Sequence, residues 1–171
     1  MLNITREQFR HIYANTQLLA YEEIFFNEPK DDDDLKKNYL TSKLWRLNNV
    51  YTIVNKHGKQ IRFCMNLSQH KVYAASLRHS RLIILKSRQQ GISTLWLVSF
   101  FDDTCCMRNL SIGLMAQGQD EASTLLSRVK LLWEQMPPVF KRYLNLSIAT
   151  DNTKALSLTN GSSIFVRTSF R

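Results

Sequence analysis

The stretch Lys86-Ser87-Arg88-Gln89-Gln90-Gly91-Ile92-Ser93-Thr94 gathers residue types that could hold a phosphate chain. A glycine lets backbone N–H groups approach an anion closely, a hydroxyl such as that of Ser93 suits a magnesium ion, and Lys86 and Arg88 bring positive charge. The standard pattern for this chemistry is G-x-x-x-x-G-K-[ST], with the lysine charge on the β and γ oxygens and the hydroxyl on Mg²⁺. Here Ile92 stands where that lysine belongs, and a lysine, Lys86, appears at the opposite end of the loop. A side chain of that length can cross the loop and supply the missing charge. Arg88 adds a planar donor fork that matches phosphate oxygens. The plain alternative is a basic turn between a strand and a helix, with both cations merely solvated.

Such a loop needs a strand to deliver it and a helix to begin at its end. Leu82-Ile83-Ile84-Leu85 runs straight into it and a second apolar run leaves it, which predicts a strand over 81–86 and a helix over 92–103. A strand over 110–116 and a helix over 119–136 continue the alternation, and alternation of this kind argues for a parallel sheet covered by helices. Beyond Pro137-Pro138, residues 144–149, 155–159 and 163–167 read as short strands, with Asn160-Gly161 as a tight hairpin turn. Upstream, 51–54 and 60–63 flank a glycine turn and predict a hairpin, and 67–77 predicts a short helix. Thr5-Arg6-Glu7-Gln8 fits a capping box opening a helix that ends near Pro29. A further helix is expected over 35–47, with Leu40, Leu44 and Trp45 facing inward. Asp31-Asp32-Asp33-Asp34 reads as the solvated turn that starts it, since aspartate favours N-caps and first turns.

The lysine-first loop resembles the deviant Walker A of the large terminase subunit, the ATPase motor that packages DNA into tailed-bacteriophage heads. Further segments carry the same resemblance. Phe63-Cys64-Met65-Asn66-Leu67-Ser68-Gln69 looks like the segment that brings an adenine-recognising glutamine. Leu114-Met115-Ala116-Gln117-Gly118-Gln119-Asp120-Glu121-Ala122 resembles the second strand and its helix, and Ile164 to Arg171 the approach to the Walker B strand. The resemblance covers about residues 50 to 171. It implies an α/β fold of P-loop NTPase type, a parallel sheet flanked by helices and incomplete here, preceded by a helical N-terminal region over 1–49. It also implies ATP and Mg²⁺ as ligands. Lys86, Arg88, Gln90, Gly91, Ile92, Ser93 and Thr94 would form the phosphate site, with Ser93 on the metal. Gln69 would read adenine, because an amide that both donates and accepts can pair with the N6 and N7 edge.

Leu95-Trp96-Leu97-Val98-Ser99-Phe100-Phe101-Asp102-Asp103 imitates a Walker B strand, an apolar run ending in two acids. Its place immediately after the loop assigns it instead to the helix whose N-terminus would face phosphate. Measured against the family, the Walker B acids, the catalytic glutamate and the nuclease domain would lie beyond Arg171. The resemblance therefore implies an N-terminal fragment, from a truncated gene or a degraded prophage, with little hydrolysis of its own and no assignable catalytic residue. In complete form such a motor would work on double-stranded phage DNA in the host cytoplasm, as a homo-oligomer with a small terminase subunit and the procapsid portal protein.

Composition sets the outer limits. With 44% hydrophobic residues in 171, the chain can bury a sizeable core. Its longest apolar runs fall far short of the about 20 residues that span a bilayer, and no secretory pattern opens the chain. Three cysteines, two adjacent, offer no zinc spacing. Twenty-three Lys and Arg against fourteen Asp and Glu leave a formal charge of +9, which favours polyanionic partners. That charge keeps two alternatives open: a basic module that docks on DNA or a packaging partner without nucleotide chemistry, and a helicase-type ATPase fragment.

Overall fold

The computed structural model describes residues 3–55, 57–85, 87 and 89–168. The chain is an α/β protein that divides into two compact units, one drawn from Met1–Asn49 and Phe63–Trp96, the other from Val50–Arg62 and Leu97–Arg171.

The first unit is helical. α1 (Arg6–Tyr13) opens on the expected capping box: the Thr5 hydroxyl accepts from the Gln8 N–H, and the Gln8 side chain accepts in return from the Thr5 N–H. The single helix expected as far as Pro29 is instead three pieces. Asn15 turns the chain with a left-handed φ of 61°, a 3₁₀ turn covers Gln17–Tyr21, and α2 (Glu22–Phe26) follows. Asp31 caps α3 (Asp32–Asp34) by accepting from the Asp34 N–H, so the aspartates start a helix as expected. A π-helical stretch, Leu35–Tyr39, extends it. Residues 40–42 then interrupt the helix expected over 35–47, and α4 (Lys43–Asn49) resumes it with Leu44 and Leu47 buried. α5 (Leu67–Arg78) matches the helix expected over 67–77. Phe9, Tyr13, Phe25 and His70 hold these elements together, ring against ring, with centroids 4.7 to 5.9 Å apart.

The strand expected over 81–86 is overturned across its described residues. Residues 82–85 belong to neither sheet, and the side chains of Ile83 and Leu85 are fully exposed. An apolar, β-branched composition is not sufficient for a strand, because the strand exists only through N–H and C=O groups on a neighbour. None of the described strands pairs with this run.

α6 (Ile92–Cys106) follows, a helix and not a strand, with Leu95, Val98, Phe101 and Asp102 all buried. In the second unit the expected hairpin forms from β1 (Thr52–Val54) and β2 (Gln60–Arg62), paired antiparallel. A four-stranded sheet consists of β3 (Ser111–Ala116), β4 (Ile148–Asp151), β5 (Ala155–Leu158) and β6 (Ser163–Thr168) in the order β3-β6-β5-β4. Among the described strands only β3 and β6 run parallel, Ser111 opposite Ser163 through Ala116 opposite Thr168, so the sheet is mixed where a parallel one was expected. The Asn160-Gly161 turn joins β5 to β6 as an antiparallel hairpin, and that reversal is what mixes the sheet.

α7 (Gln119–Glu134) packs on the sheet through Ala122 and Leu126 against Ala116 and Val166. Burial alternates along β5 and β6, with Leu156, Leu158, Ile164 and Val166 turned inward. α8 (Pro138–Leu144) was not expected. Pro138 stands in its first turn, where a missing N–H costs nothing, and Asn145 ends it in a left-handed conformation.

Two polar anchors tie this unit together. The Tyr51 hydroxyl donates to the Asp102 carboxylate at 2.6 Å, both buried, and burial first, then the neighbouring charge, raises the phenol well above its usual range. The Asn160 side-chain N–H group donates to the Thr104, Cys105 and Met107 carbonyls at 2.9, 3.2 and 2.7 Å, closing the C-terminus of α6. Among the described residues no helix is long and apolar enough to cross a membrane.

The exposed run makes a simple test. The double substitution Ile83→Lys and Leu85→Lys should change unfolding free energy by no more than about 0.5 kcal/mol in denaturant titrations, while lowering self-association seen by light scattering. A loss of several kcal/mol would mean that these side chains are buried.

Candidate functional site

The start of α6 is set by the residue before it. Gly91 takes a left-handed φ of 70°, and its carbonyl accepts the first hydrogen bond of the helix, from the Leu95 N–H at 3.0 Å. Gln89, two residues earlier, is also left-handed, with φ 66°, an unusual state for a residue with a side chain. The chain thus turns sharply twice just before the helix. Glycine at position 91 brings no side chain to cap the orphan N–H groups of the first turn, and that turn carries no acidic residue. Both features suit the positive end of a fifteen-residue helix to an anion.

The expected site residues differ in where the structure places them. Ser93 is exposed and Thr94 half-buried in the first turn of α6. Ile92 is buried, which gives a physical reason for its type: a lysine at this position would have to bury its ammonium. Gln90 is half-buried and donates its side-chain N–H to the Ser87 hydroxyl at 3.1 Å, so it braces the loop from within. Lys86 and Arg88 lie outside the described residues.

Gln69 is brought to the loop across 22 residues of sequence. Its Nε2 donates to the Gly91 carbonyl at 2.7 Å, while its Oε1 accepts from the Asn66 N–H at 2.8 Å. The amide is only 3% exposed, and both of its ends are engaged within the protein. Asn66 completes the arrangement. Its side-chain oxygen accepts from the Gln69 N–H at 2.9 Å, making a capping box, and its side-chain nitrogen points to the Gln90 carbonyl at 3.4 Å. The segment before Asn66 is itself anchored. Asn48, buried on α4, accepts from the Met65 N–H at 2.8 Å and donates to the Leu44 carbonyl at 2.8 Å. Sequence reasoning missed Asn66, although Asn66-x-x-Gln69 ahead of an apolar helix is a recognisable capping signal.

Next along α5, His70 is fully buried between the Tyr13 and Phe25 rings. Its Nδ1 lies 2.7 Å from the Tyr13 hydroxyl, and its Nε2 has no hydrogen-bond partner among the described residues. Burial disfavours the charged imidazolium and lowers the His70 pKa from 6.5 to about 4. No model of a known protein family matches the chain, and no curated protein matches it.

Two outcomes follow. Gly91→Ala forces a side chain into a left-handed backbone and sets its Cβ 2.9 Å from Gln69 Nε2, so chemical denaturation should show a loss of about 1–2 kcal/mol. For His70, the unfolded state binds the proton first, so stability is full above about pH 6.5 and is lost as pH falls towards 4. Denaturant melts between pH 7 and 4 should show a decline approaching about 1.4 kcal/mol per pH unit from this group, absent in His70→Phe.

Proposed function

We propose that the chain binds ATP with Mg²⁺ at the N-terminus of α6, as the nucleotide-binding part of a DNA-packaging motor of the large-terminase kind. The single observation that carries this reading is the left-handed Gly91 placed immediately before a long, acid-free helix start bearing Ser93 and Thr94. Phosphate oxygens would take the N–H groups of that turn, Ser93 would ligate the metal, and Lys86 and Arg88 would neutralise charge from the loop.

Binding is the activity assigned, and turnover is not. Hydrolysis requires a carboxylate on the metal and a residue that orients water. Asp102, which ends the apolar run, is buried on α6 and accepts the Tyr51 hydroxyl. Partners on this reading are double-stranded DNA, a small terminase subunit, a portal protein and further copies of the motor.

The charge of +9 favours a second reading, a basic module that docks on DNA without nucleotide. Calorimetric titration separates the two. The packaging-motor reading expects saturable ATP binding that needs Mg²⁺, weakened about tenfold or more by Lys86→Ala and stripped of its metal dependence by Ser93→Ala. No heat from ATP, alongside DNA binding that weakens steeply with salt, would leave the basic module as the better account.

A further inference from the structure

We infer that Gln69 and Asn66 form a clamp that positions the phosphate loop, so that Gln69 acts through Gly91 and does not read the base. The inference rests on the nucleotide-binding reading and deepens it. To read adenine, the Gln69 amide would have to present Oε1 to the N6 amino group and Nε2 to N7. Those same atoms already meet the Asn66 N–H at 2.8 Å and the Gly91 carbonyl at 2.7 Å. Breaking either bond in a buried place leaves a polar group unpaired, which is the costly outcome for a hydrogen bond.

The clamp also has a mechanical purpose. Gly91 is the last residue before α6, and its carbonyl carries both the first helical hydrogen bond and the Gln69 bond. Fixing that carbonyl fixes the peptide planes that aim the first-turn N–H groups. Asn66 reaches the preceding carbonyl, of Gln90, and Asn48 holds the chain just before Asn66. The loop is therefore gripped by a ladder of side-chain amides whose footing is a packed helix, α4. Pre-ordered donors bind an anion without first losing freedom. Such a site recognises the triphosphate, and its affinity should be indifferent to the base.

The test uses the full chain, with Gln69→Met, which removes both hydrogen bonds without adding charge, and Gln69→Glu, which can still accept from the Asn66 N–H but cannot donate to Gly91. ATP, GTP and inorganic tripolyphosphate, each with Mg²⁺, are titrated into wild type and Gln69→Met. The clamp predicts a similar loss for all three ligands, roughly tenfold. A loss confined to ATP, with tripolyphosphate unaffected, would make Gln69 a base reader and overturn the proposal. Hydrogen exchange without ligand supplies the second readout. Both variants should speed exchange across residues 89–95. Wild-type protection there in Gln69→Glu would reduce Gln69 to an ordinary helix cap and overturn the clamp. If wild type binds none of the three ligands, the nucleotide reading fails, and the exchange comparison still decides whether the clamp exists.

Discussion

The carbonyl of Gly91 receives two hydrogen bonds, one from the Leu95 N–H that begins α6 and one from the buried Gln69 amide. Around it the backbone must be left-handed, and a Cβ would press on Gln69 Nε2, so the conformational and steric demands select the same residue. Without this junction the helix start would be an ordinary frayed end. With it, the first-turn N–H groups acquire a fixed direction and the loop before them a fixed exit. The capping box of α5 and the N-terminus of α6 thus become one hydrogen-bonded object, made from residues far apart in the chain.

The same economy recurs in the second unit. Asn160 closes the last turn of α6 on three carbonyls, and the neighbouring Ser162 hydroxyl donates to Met107 while accepting from the Leu110 N–H. Buried backbone groups must find partners somewhere, and here two side chains of one hairpin turn supply them. Apolar burial completes the unit on one side: α7 covers Ala116 and Val166, while the neighbouring Met115 stays exposed.

Much of the fold was legible because local signals and tertiary needs agree. Thr5 with Gln8 and Asp31 with Asp34 cap helices as their spacing suggests, and the 51–63 hairpin follows its glycine turn. The acid-ended apolar run at 95–103 is helical, as its place after the loop requires. Failures arise where composition had no partner to act on. Leu82 to Leu85 has strand composition but no partner among the described strands, and a strand is a property of two segments. The β5–β6 reversal was legible in the Asn160-Gly161 turn, whereas the pairing of β6 alongside β3 was hidden, since those two strands align only through a long connection. For the site, the chain pattern singled out the loop and Gln69 as candidates, yet it could not disclose that the Gln69 amide donates to the Gly91 carbonyl. Hydrogen-bond geometry between residues 22 positions apart is not written in either segment alone.

On the proposed nucleotide-binding reading, the first turn of α6 is a pre-ordered anion site. Amide-resolved NMR during titration of the full chain with Mg²⁺-tripolyphosphate tests it most directly. The account predicts saturable shifts concentrated at the Ile92, Ser93 and Thr94 N–H groups, with little movement elsewhere in α6. Shifts spread over lysine and arginine surfaces, with those three amides unmoved, would contradict it.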